Sequence, residues 1–136
     1  VAYGPGGARF AGSTYDPTSH YRAAEVFDFF AERDLTPAFL REVSQHQVGL
    51  LAAAFDDLDL PPGIIDRDRT ISLRCLGGFL ALRSPRAGDL CRRLAERGVA
   101  TDFRHDVLRL GPAPYLSDIQ LREATAILGE VAREVR

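Results

Sequence analysis

The sequence has no lysine; all 17 of its basic side chains are arginine. It therefore offers no side-chain amine to hold an aldehyde cofactor covalently or to act as an amine nucleophile. Methionine is also absent, even as an initiator. The two absences lead to the expectation that the chain is cut from something larger. The alternative is an initiator trimmed before Val1 and a G+C-rich genome that replaced lysine by arginine. Cysteine is scarce. Cys75 and Cys91 are too few for a disulfide framework and lack metal-ligand spacing, so both are read as reduced, Cys91 in a helix core. No metal site is expected.

Nor is there an excess of positive charge. A formal net charge of −2 argues against a nucleic-acid groove or an anionic membrane surface as partner. No apolar run reaches the roughly 18 residues of a membrane span, and VAYGPGGARF lacks the charged-then-apolar order of a secretory signal, so a cytoplasmic setting is expected.

What is present fits one compact domain: 136 residues, 46% hydrophobic and 26% charged, enough for a single core. Residues 1–15 read as an extended or looped arm, rich in glycine up to Thr14. Residues 16–136 read as one α+β unit, with the sheet and the last two helices in about 69–136. Asp16-Pro17 is a helix start, and Ala23, Val26, Phe27 and Phe30 recur at helical spacing as far as Arg33. A second start at Leu35-Thr36-Pro37 leads into the stripe Leu40, Val43, Gln47, Leu50, Leu51, Ala54 and Phe55, ending near Leu58.

Thr70–Arg74 and Phe79–Arg83 are β-prone and predict an antiparallel pair. A third helix follows Ser84-Pro85, with Leu90, Cys91 and Leu94 inward and Gly98 as its left-handed cap. Val99–Phe103 and Val107–Gly111 predict another strand pair. Ser117 and Gln120 then form a capping box for a last helix with Ala124, Ile127, Leu128, Val131 and Val135 on its apolar face. The fold expected is α+β, a small antiparallel sheet covered on one face by helices.

Chemistry concentrates in ERGVATDFRHDVLRLGPAPYLS. On the strand Val107–Gly111, Leu108 and Leu110 share one face while Val107, Arg109 and Gly111 share the other. If the leucines face the core, the Arg109 guanidinium faces away from it, where it suits bidentate capture of a carboxylate; a solvated strand arginine is the plainer alternative. Arg104, His105 and Asp106 read as a hairpin tip rather than an acid–base cluster. The arm glycines and the hydroxyls of Ser13 and Thr14 could wrap a phosphate, although no P-loop or dinucleotide fingerprint is present. His20 and Tyr21, in a first helical turn, and His46, beside Gln45 and Gln47, read as satisfied or exposed residues rather than ligands.

RFAGSTYDPTSHYRAA, LTPAFLREVSQHQ, LGGFLALRSP and above all RGVATDFRHDVLRLGPAPYLS resemble the C-terminal part of kynureninase and its relatives among class V aminotransferase-fold enzymes. The resemblance covers essentially the whole chain. It implies the small C-terminal domain of a homodimeric pyridoxal 5'-phosphate (PLP) enzyme of fold type I, whose large domain carries the cofactor lysine. It places the substrate-carboxylate role on Arg109, in DVLRLGPAP. It also places cofactor-phosphate contacts on Gly12, Ser13 and Thr14, where the family has a plain Gly-Thr step. The reaction implied is hydrolytic cleavage between Cβ and Cγ of a kynurenine-type amino acid, with no catalytic residue in this chain.

Three alternatives stay open: the small domain of another class V relative (an epimerase, aminotransferase or lyase), a stand-alone α+β interaction module without catalysis, and a small enzyme using Arg109, His105 and Asp106. Cysteine desulfurases and selenocysteine lyases carry a reactive cysteine where this chain has TDFRHD.

Overall fold

The computed structural model describes residues 4–10 and 16–135. Among them are four α-helices and a three-stranded antiparallel sheet, and the chain divides into two compact units, Val1–Thr36 and Pro37–Arg136. The division falls after the first helix.

The sheet of the second unit is built from β1 (Leu80–Arg83), β2 (Asp102–Arg104) and β3 (Val107–Leu110), in the order β1-β3-β2. Register places Leu80 opposite Leu110 and Leu82 opposite Leu108, so four leucines share one face. All four are buried, and side chains that alternate with them point the other way. The helices α2 (Pro37–Asp56), α3 (Ala87–Glu96) and α4 (Asp118–Glu134) close over the leucine face. α3 lies against β2 and β3, α2 against β1, and α4 packs on both α2 and α3. The expected architecture of a small sheet with one helix-covered face is the one observed.

Each helix follows its local chemistry. α2 opens on Pro37, whose missing N–H is no loss in a first turn. Its buried side chains are Gln47, Val48, Leu50, Leu51, Ala52 and Phe55. This face is wider than the stripe read from the sequence because α2 meets both α4 and the sheet. Gln47 is satisfied although buried: its Nε2 donates to the Ala113 and Leu116 carbonyls at 3.0 and 3.1 Å, fastening the segment after β3.

α3 ends in a Schellman arrangement, Gly98 having φ +80° while its N–H donates to Ala95 O and that of Val99 to Leu94 O, at 3.0 and 2.9 Å. α4 has the expected capping box between Ser117 and Gln120. Both cysteines are free, Cys91 half-buried on α3 and Cys75 exposed.

Thr70–Arg74 is not a strand. Thr70 donates both its N–H and its hydroxyl to Asp68 Oδ1, at 2.8 and 2.6 Å, and Leu73–Cys75 forms a short 3-10 turn. Arg41 then takes the Arg74 and Leu76 carbonyls at 2.6 and 2.8 Å, acceptors that a ladder would need. The edge of β1 is met instead by a single bridge between Asp66 and Arg83. Nearby, Arg67 and Arg69 both bind Asp56 at the end of α2, and Arg69 also reaches Asp66.

In the first unit, α1 runs over Thr18–Glu32. The helix starts later than expected: Pro17 is the backbone N-cap, and Asp16 serves from one residue earlier, its Oδ1 accepting from Thr18 N at 3.0 Å. No α1 residue is buried, so the stripe through Val26, Phe27 and Phe30 does not form core. Within the arm, Gly6–Phe10 is a 3-10 helix.

Candidate functional site

Arg109 lies on β3, the middle strand, with Asp102 of β2 and Ala81 of β1 as its cross-strand neighbours. Leu108 and Leu110 on the same strand are buried, so its guanidinium emerges on the sheet face that the helices leave uncovered. The strand-parity expectation holds.

Two neighbours fix the group. Asp102 forms a bidentate pair with it, Arg109 Nε donating to Oδ1 at 2.6 Å and Nη2 donating to Oδ2. The Phe79 ring, just before β1, lies below, with the guanidinium carbon 5.4 Å from the ring centroid. The Arg109 hydrogen bond holds the Asp102 carboxyl below its ordinary 3.8, with help from the Arg109 charge and that of Arg104, while Asp102 raises Arg109 further above neutrality.

An open cavity of about 480 Å³ adjoins the pair, lined by Arg109, Asp102, Phe79, Gly78, Thr101 and Gly111 among others. A second, largely apolar cavity of about 400 Å³ lies toward α4 and shares Ala100, Thr101 and Gly111 with the first. A guanidinium held at its side, stacked on a ring and bordering a cavity has the chemistry to pair with a carboxylate.

The other candidates lie elsewhere. His105 and Asp106 form the turn between β2 and β3, His105 with φ +52°, and Asp106 O accepts from Ser84 N at 2.7 Å. Arg104 is exposed at the end of β2, paired in register with Val107. His46 Nε2 is 2.8 Å from Asp118 Oδ1, an exposed contact joining α2 to the first turn of α4. His20 and Tyr21 are exposed on α1. Gly12, Ser13 and Thr14 lie outside the described residues.

Sequence reasoning missed Asp102 and Phe79. The signal for Asp102 was present: once the turn is fixed at His105-Asp106, pairing back from it sets Arg104 on Val107, Phe103 on Leu108 and Asp102 on Arg109. A turn one residue longer, as the expected strand limits implied, sets Asp102 opposite Leu108 instead. Phe79 had no such signal, because its contact depends on how the chain enters β1.

Residues 71–128 match the family of kynureninase C-terminal domains. The matched segment contains Phe79, Asp102 and Arg109. The chain shares its fold with the crystal structure of adenosylmethionine-8-amino-7-oxononanoate aminotransferase from Methanocaldococcus jannaschii DSM 2661, with a TM-score of 0.66 over 92% of this chain and 16% identity. It spans 30% of that chain's length. No curated protein matches it. The matched segment takes in LGGFLALRSP and RGVATDFRHDVLRLGPAPYLS, two of the four stretches that carry the resemblance read from the sequence.

The resemblance read from the sequence implies a PLP cofactor, and the donor set can be tested against it. With no lysine in the sequence, no side chain here can attach the PLP aldehyde.

Proposed function

We propose that this chain is the small domain of a PLP-dependent enzyme of the kynureninase kind, and that Arg109 receives the α-carboxylate of the amino-acid substrate. The observation that carries the reading is the outward guanidinium of Arg109 beside an open cavity, within the segment that matches kynureninase C-terminal domains. In this reading a large domain supplies the cofactor and its lysine, and the PLP, when bound there, acts as the electron sink for hydrolytic Cβ–Cγ cleavage of a kynurenine-type substrate.

The work of this chain is binding and orientation. A bidentate carboxylate contact fixes one end of the substrate, which aligns the reacting bonds elsewhere in it. Gly12, Ser13 and Thr14 are proposed to reach the cofactor phosphate, in a cytoplasmic homodimer.

The test is made on the complete polypeptide in which this chain occurs, loaded with PLP and supplied with L-kynurenine. Arg109→Ala is expected to lower kcat/KM by about 30- to 700-fold, as for a charge-assisted pair left half empty. An unchanged kcat/KM would remove Arg109 from the role. A second reading, the small domain of an aminotransferase, draws on the fold shared with the archaeal enzyme. Amino transfer to an added 2-oxo acid, without kynurenine cleavage, would favour it.

A further inference from the structure

The Asp102–Arg109 pair poses a question that the carboxylate reading leaves open: whether Asp102 blocks the guanidinium or aims it. A guanidinium has two edges able to hold a carboxylate, one formed by Nε and Nη2 and the other by Nη1 and Nη2. Asp102 takes the first, through Nε and Nη2. Two of the five N–H groups are thereby used, and three remain, both on Nη1 and one on Nη2. Among the described residues nothing bonds to Nη1. The Phe79 ring occupies one flat side of the group. Side and one flat face are thus held, while the end of the group is left for a ligand.

We infer that Asp102 is a positioning residue for Arg109: it grips the inner edge of the guanidinium so that the outer edge, Nη1 with Nη2, is presented to a substrate carboxylate. The inference rests on the proposed role of Arg109 and adds a residue to it. Asp102 suits the task because its strand position is directly opposite Arg109, so the grip is set by sheet register rather than by a mobile loop. Its negative charge opposes an incoming carboxylate, but Arg104 on the same strand and Arg83 on β1 add positive charge to the uncovered face, against Asp102 and Asp106. The balance of these five groups stays positive. An asparagine at this place could accept from Nε, yet its amide N–H groups would then confront those of Nη2, and the guanidinium would turn away.

The experiment uses the complete PLP-loaded polypeptide, isotopically labelled in its arginines, and propionate as probe, following the arginine side-chain N–H resonances by NMR. In the unaltered protein the Arg109 Nε–H signal is expected to stay in place while the Nη signals shift and saturate. Asp102→Asn is expected to raise the half-saturating propionate concentration about tenfold, with partial recovery in Asp102→Glu, which restores the charged acceptor. Its thermal midpoint should stay near that of the parent, which separates positioning from a folding defect. Equal or tighter propionate binding by Asp102→Asn would make Asp102 a competitor and overturn the inference while leaving the role of Arg109 standing. Absence of saturation in the unaltered protein, or its persistence in Arg109→Gln, would overturn both.

Discussion

The two faces of β3 carry opposite duties within four residues. Leu108 and Leu110 on one side meet Leu82 and Leu80 across the sheet and disappear beneath the helices. Val107 and Arg109 on the other side stay partly exposed, and Arg109 is held by charge and by an aromatic ring. The buried face is maintained by apolar area removed from water, a contribution that carries no titrating group. The uncovered face is maintained by a cross-strand ion pair, which adds little to stability and much to the direction of one side chain. A strand can thus anchor a fold and display a binding group at once, provided its period of two is kept.

The comparison breaks most visibly at Leu108, which is fully buried. Leu108→Ala should cost about 2–5 kcal/mol through lost burial and the cavity left behind, read from chemical denaturation. A cost below about 1 kcal/mol would mean that the leucine face is not the core. Next comes Ser84, directly after β1, buried, with Oγ donating to Ile64 O at 2.6 Å and accepting from Arg86 N at 3.1 Å. Ser84→Ala removes both hydrogen bonds from a buried position and should cost about 1–3 kcal/mol by the same measurement.

The smallest effect belongs to the uncovered face, where Arg109→Gln should move the thermal midpoint by no more than about 2 °C at neutral pH. Acid sharpens the contrast. Hydrogen bonds from Arg109 to Asp102, from Arg67 to Asp56 and from Arg69 to Asp66 lower all three carboxyls from 3.8. Because the folded values are depressed, the stabilisation is complete above the ordinary carboxyl range and is lost as pH falls through the lowered values. Arg109→Gln should therefore flatten the acid limb of a pH–stability profile slightly, and Leu108→Ala should displace the whole profile without changing its shape.

Much of this division could be read in the sequence. Alternation in Val-Leu-Arg-Leu assigned the two faces of β3, and the helix signals at Pro37, Gly98 and Ser117 each mark a real boundary. Thr70–Arg74 misled because β-prone composition says nothing about competing local hydrogen bonds: Asp68 folds Thr70 back, and Arg41 occupies the carbonyls beyond it. The apolar stripe of α1 has the right period, yet periodicity does not say what a helix packs against, and no α1 residue is buried. At the site, Arg109 was legible from parity alone. Asp102 needed the exact turn, and Phe79 needed three dimensions.

The central claim is that Arg109 answers to the α-carboxylate of the substrate, and discrimination between two ligands tests it most directly. In the complete PLP-loaded enzyme, the affinity for L-kynurenine would be compared with that for its analogue lacking the α-carboxylate, before and after Arg109→Gln. The account predicts a preference of about 100-fold for the carboxylate in the parent, collapsing to near parity in the variant. A variant that keeps the full preference would contradict it.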